Sequence, residues 1–166
     1  MSLKFQEILN GFITRTNRYL HKYNIDHNYM FSQKHIVRYS ELLETSDWGN
    51  WKEFIENRRY VGSTFKKYNI YTHPQNKYEI ELIDWGGHST FINAHTKRGC
   101  FIKVLSGSIT NERYVVYKDG IIKSKTTIHA EPNDICYNHD QLGFHKLIGS
   151  KDTHSIHIYF PAIQRT

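Results

Sequence analysis

The chain has 166 residues, 39% hydrophobic and 14% aromatic, with a formal net charge of +6. This is enough for one domain with a real core and too apolar for a disordered chain, and no run approaches the roughly eighteen apolar residues of a spanning helix. The charge is dispersed over short pairs, Arg58-Arg59, Lys66-Lys67, Lys97-Arg98 and Lys123 with Lys125, which speaks for solubility and against a nucleic-acid tract.

Residues 1–60 read as helical. The start, "MSLKFQEILNGF", lacks the basic-then-apolar layout of a secretory leader. Leu3, Phe5, Ile8, Leu9, Phe12 and Ile13 recur three and four apart, a pattern that extends to Tyr19-Leu20. "YSELLET" and "WGNWKEFIENRR" predict two further helices, the latter capped by Asp47 or Asn50. From about residue 66 the texture becomes strand-like. "KYEIELIDW" and "CFIKVL" alternate or run apolar, Gly107 makes a turn, and "ITNERYVVYKDGIIKSKTTIH" reads as two strands around Asp119-Gly120, a hairpin signal. "DICYN", "FHKLIG" and "SIHIYF" follow as short strands. With no internal repeat or linker, this predicts a single domain over 1–166: helices over 1–60 and a β-barrel over 66–162.

Two features carry chemistry. Eight of the eleven histidines follow residue 70, and His88, His95, His145 and His157 are the notable ones. Imidazoles on adjacent strands can hold iron, zinc, nickel or copper with open positions, although any single one also serves as a hydrogen-bonded structural group. In "SIHIY", strand alternation puts Ser155, His157 and Tyr159 on one face and Ile156 and Ile158 on the other. The polar face is either solvated or lines a cavity. Cys100 and Cys136 are too few for a disulfide framework, so a reducing, cytoplasmic setting is expected, and Cys136 reads as a small buried side chain without a role.

The spacing in "GHSTFINAHTKRGCFIKVLSG", with Gly87, Asn93, His95, Cys100 and Gly107, resembles the first motif of the cupin superfamily, and "YNHDQLGFHKLIG" resembles the second, with His145. The resemblance sharpens to the cysteine dioxygenases. A tryptophan-glycine pair precedes the first motif, "Y-x-x-D-x-x-G-x-H" matches Tyr137, Asp140, Gly143 and His145, and a serine-histidine-tyrosine row followed by proline matches "SIHIYFP". The match spans about residues 65–162. It implies a mainly β, cupin-type (double-stranded β-helix, jelly-roll) barrel with a small helical N-terminal region. It also implies mononuclear non-haem Fe(II), O2 as co-substrate and a small thiol substrate; a monomer is expected, and the hydropathy predicts no membrane association. Carried over by residue, His95, His145 and Asn93 stand at the metal positions. Tyr159 is a phenol beside the metal, able to form a thioether with Cys100, while Ser155 and His157 support it.

Two positions depart from the family pattern. Asn93 replaces the first metal histidine, and an amide oxygen is a neutral, weaker donor for Fe(II), so iron is expected to be held weakly. His88 lies five residues from Asn93, an odd separation that faces it away. The arginine that clamps the substrate carboxylate in cysteine-specific members falls on or near Tyr68, with Lys67 adjacent as a candidate anion contact. The expected function is addition of O2 to the sulfur of cysteine or a related thiol, giving a sulfinate. The alternative is a catalytically impaired cupin that binds a metal, a small molecule or a partner.

Overall fold

The computed structural model describes residues 3–25, 31–49, 51–56, 66–90, 99–116, 119–120, 122–139 and 143–162. They fall into two compact units, a helical one within residues 1–62 and a β one within residues 63–166.

The helical unit holds α1 (Leu3–Lys22), α2 (Gln33–Glu44) and α3 (Trp51–Glu56). α1 buries Phe5, Leu9, Phe12, Thr16, Tyr19 and Leu20, positions that share one face of a 3.6-residue helix. Tyr39 and Leu43 of α2 and Trp51 and Phe54 of α3 are buried too. Phe5 stacks on Phe54 with centroids 5.5 Å apart, and Phe12 meets Trp48 edge-on at 5.2 Å, arrangements the ring quadrupoles favour. α2 begins earlier than the motif around Tyr39 predicts. Ser32 caps it, its hydroxyl accepting from the His35 N–H at 3.3 Å. Of the two caps expected for α3, Asn50 lies outside the described residues, and the Asp47 carboxylate accepts instead from the Gly49 N–H at 2.8 Å. The expected continuation of α3 past Glu56 also lies outside them.

The β unit contains β1 (Lys66–Thr72), β2 (Glu79–Asp84), β3 (Gly99–Ser106), β4 (Ile109–Val116), β5 (Ile122–Ala130), β6 (Ile135–His139), β7 (Phe144–Gly149) and β8 (His154–Phe160). They form a five-stranded sheet in the order β1-β2-β8-β3-β6 and a three-stranded sheet in the order β5-β4-β7, and every named pairing is antiparallel. β1 was not anticipated as a strand, because an edge strand with Lys66, Lys67 and Asn69 shows little apolar alternation.

The turn at Gly107, with φ +70°, carries the chain from β3 in one sheet to β4 in the other. A Cβ there would come within 2.3 Å of Thr153 Oγ1, so glycine serves both the positive φ and the close approach. Asp119-Gly120 joins β4 to β5, which pair from Ile109↔Ala130 to Val116↔Ile122.

Directly opposed residues of antiparallel strands share a sheet face. Ile83, Trp85, Cys100, Ile102, Val104 and Tyr159 from the first sheet pack with Ile109, Ala130 and Leu147 from the second in one buried cluster. That cluster is the barrel interior. Gly149 is its tightest point: a Cβ would lie 2.5 Å from Cβ and Cγ of the fully buried Trp85. Gly149→Ala therefore has to displace the indole, and we expect it to lower stability by about 1–3 kcal/mol. A urea titration of both proteins reads this; equal midpoints and slopes would show that the indole yields without cost.

Candidate active site

β8 lies between β2 and β3, and the six residues from Ser155 to Phe160 are all buried. Both of its faces are therefore covered, and the solvated-edge reading of "SIHIY" does not apply. Ile156, Ile158 and Phe160 lie on one face. The other turns Ser155, His157 and Tyr159 toward the interior, where they share a face with the opposed residues Val104, Ile102 and Cys100 of β3.

Buried polar atoms need partners, and these have them. Trp85 Nε1 donates to Ser155 Oγ at 2.9 Å, Ser155 Oγ lies 2.8 Å from His157 Nε2, and His157 Nδ1 lies 3.3 Å from Tyr159 Oη. An indole N–H can only donate, so the first bond has a fixed direction. Ser155 Oγ keeps a second lone pair as well as its proton, so the imidazole tautomer decides whether it donates to His157 Nε2 or accepts from it. The same tautomer decides whether Tyr159 Oη accepts from His157 Nδ1 or donates to it. Cys100 Sγ is 3.8 Å from the same Nδ1, and Cys100 is directly opposed to Tyr159 across β3 and β8.

His145 approaches the same interior from the second sheet. It lies on β7 opposite Arg113 of β4, one step along the inner face from Leu147, which sits opposite Asn111. Only 3% of it is exposed. Burial, and then the positive charge of Arg113, push its pKa from 6.5 down to about 4. The imidazole is thus neutral at ordinary pH, the form a metal ligand requires.

Asn93 and His95 lie in residues 91–98, outside the described residues. Among the described residues no three His, Cys, Asp or Glu side chains converge as a metal site. His88 is exposed in the turn after Trp85, with its N–H donating to the Trp85 carbonyl at 2.9 Å. Tyr68 is opposed to Leu82, and Leu82 to Ile156, so Tyr68 belongs to the sheet face away from the polar row. Lys67 is opposed to Ile83, on the row's face, but is exposed at the sheet edge. Cys136 packs against the interior cluster, and burial raises its pKa, as expected of an inert thiol.

A family model for cysteine dioxygenase type I matches residues 28–166. The chain belongs to the cysteine dioxygenase family. Cysteine dioxygenase type 1 of Danio rerio is 25% identical over 145 residues, covering 78% of this chain and 72% of that protein. The Bos taurus protein is 28% identical over 124 residues, covering 66% and 61%, so the match takes in about three fifths of that relative's length. Among solved structures, KdgF from Halomonas sp. has a TM-score of 0.50 at 14% identity, over 66% of this chain and 91% of that one. The cupin domain of Cnp3 from Schizosaccharomyces pombe has the same TM-score at 8% identity, over 64% and 71%. These two share the cupin fold expected from the sequence. No helix among the described residues is long and apolar enough to cross a membrane.

For this cysteine dioxygenase family member, the sequence reading assigned no role to Trp85 beyond its place in a motif, nor to Asn111, Arg113 and Asn138, which meet in the interior beside His145. The signal was present in "ITNER". Ile109, Asn111 and Arg113 alternate, so the face that packs Ile109 into the core must also carry an amide and a guanidinium.

Because His145 has a depressed pKa when folded, its proton is taken up preferentially by the unfolded chain. Stability is unaffected above pH 6.5 and is lost progressively as the pH falls toward 4. We expect metal-free protein to lose about 3 kcal/mol more between pH 7 and pH 4 than its His145→Gln variant. Denaturant titrations at several pH values read the difference, and parallel curves would contradict it.

Proposed function

We propose that this chain is a non-haem iron thiol dioxygenase, adding both atoms of O2 to the sulfur of cysteine or a related small thiol to give a sulfinate. The observation that carries the reading is the buried Trp85, Ser155, His157 and Tyr159 relay, with Cys100 directly across from the phenol. Family membership supports it. An imidazole, a phenol and a thiol grouped in a barrel interior are a candidate site for acting on a bound group.

In this reading His145, His95 and the amide oxygen of Asn93 hold the iron. His145, the one of the three described here, fits: it is buried, neutral and turned into the barrel. Bound Fe(II) supplies the positive charge that favours thiolate and the redox capacity to use O2. The chain's own residues do the positioning. His157 holds the Tyr159 ring in place, Ser155 and Trp85 hold His157, and the Tyr159 O–H donates a hydrogen bond to the reacting group. The opposed register of Cys100 and Tyr159 supports a thioether between them as part of this reading. The reading includes a reducing, cytoplasmic setting. The substrate is a small thiol, and the protein acts as a monomer.

A second reading, a non-catalytic cupin that keeps the interior but has lost turnover, rests on Asn93. The two separate in one experiment: iron analysis, then O2 uptake with cysteine, 3-mercaptopropionate, cysteamine and homocysteine, with His95→Ala as control. The dioxygenase reading expects iron in the protein and sulfinate formation that His95→Ala abolishes. Iron-loaded protein that consumes no O2 with any thiol selects the second reading. Asn93→His restores an imidazole donor and is expected to tighten Fe(II) binding by about tenfold to a hundredfold. Unchanged affinity in a metal-competition titration would remove residue 93 from the ligand set.

A further inference from the structure

Facing the relay, the interior carries a second polar group. Asn111 Nδ2 donates to Asn138 Oδ1 at 2.9 Å, and Arg113 Nη2 donates to the Tyr137 carbonyl at 2.6 Å and, more distantly, to Asn138 Oδ1 at 3.5 Å. β4 contributes the first and third residues of the group and β6 contributes Asn138, which is opposed to Cys100. Arg113 is opposed to His145. The group therefore links the two sheets, from Asn138 beside Cys100 to Arg113 beside His145.

A guanidinium only donates, so Arg113 fixes the Asn138 amide with its oxygen toward itself and its nitrogen turned elsewhere. Three atoms are then left over. Arg113 Nε, Asn138 Nδ2 and Asn111 Oδ1 are buried and make no hydrogen bond among the described residues, and Asn111 and Asn138 are 0% and 2% exposed. A group serving only to tie the two sheets together has no reason to leave donors and an acceptor unused, since each buried orphan is destabilising. Two orphan donors beside a permanent positive charge match the two oxygens of a carboxylate. The buried carboxyls of this inner face, Glu79 and Glu81, lie on β2 opposed to Tyr159 and His157, three strands from Asn138 on β6. The orphan acceptor matches an N–H or O–H on the neighbouring carbon.

We infer that Arg113, Asn138 and Asn111 form a binding site for the carboxylate of a small acid inside the barrel. Tyr68 faces away, and this site supplies the anion recognition that the Tyr68 position lacks. That the bound acid is the thiol substrate rests on the dioxygenase reading; the anion site itself does not.

The test uses the metal-free full chain and calorimetric titration with 3-mercaptopropionate, propionate and cysteamine. The two carboxylates are expected to bind at least about tenfold more tightly than the amine, and Arg113→Met to remove that preference. Asn138→Asp is the second variant. It keeps the side chain's shape and an oxygen for Arg113 while neutralising the charge, so it is expected to weaken carboxylate binding by about tenfold or more even if Arg113→Met does not fold. The inference is overturned if wild type shows no preference for carboxylates, or if Asn138→Asp binds 3-mercaptopropionate as wild type does. Carboxylate binding without O2 uptake by the iron-loaded protein would sink the dioxygenase reading and leave the anion site standing. Sulfinate formation with a KM for 3-mercaptopropionate untouched by Asn138→Asp would do the reverse.

Discussion

A serine, an imidazole and a phenol can share the core of a β-barrel only if each finds a hydrogen-bond partner there, and the rest of this molecule is arranged around that requirement. The relay begins at Trp85, whose indole N–H can only donate and so fixes the direction of the first bond. Trp85 is in turn held against Gly149, where no side chain fits. The register of β8 between β2 and β3 matters for the same reason. A slip of one residue would carry Ile156 and Ile158 inward and the polar row outward, exchanging the two faces of a strand buried on both.

The barrel gives this row its chemical company. Cys100 comes from β3, opposed to Tyr159, and His145 comes from the other sheet. Their closeness is produced by folding, since about forty-five residues of chain separate Cys100 from His145. Burial and the neighbouring guanidinium act on His145 in the same sense, both disfavouring the imidazolium. The interior thus holds a neutral imidazole, a phenol and an arginine that stays charged, together with the buried Glu79 and Glu81, opposed to Tyr159 and His157 on the relay's face.

Two substitutions against the family pattern, Asn93 and Tyr68, point in different physical directions. If Asn93 stands in the ligand set, an amide oxygen in place of an imidazole weakens that set without emptying it. A tyrosine in place of an arginine removes a charge outright, and Tyr68 itself lies on the sheet face away from the polar row. Arg113 is a charge of the right kind on the interior face, reached from the other sheet. A specificity group can change its strand of origin while the barrel stays the same, because both sheets project side chains into one space.

Much of this was legible from residue patterns. Alternation in "SIHIY" separated two faces, the Asp119-Gly120 dipeptide marked a hairpin, the three-and-four spacing of α1 marked its buried side, and the ordered motifs indicated the family. β1 was missed because an edge strand need not alternate. The early start of α2 was missed because a single capping hydroxyl decided it. What the sequence determined by itself was which residues share a strand face, since that depends only on local backbone geometry. Which strands become neighbours depends on packing between segments far apart in the chain. Only the tertiary structure therefore decided that the polar face of β8 turns inward, that Trp85 completes its hydrogen bonds, and that Arg113, Asn111 and Asn138 meet beside His145.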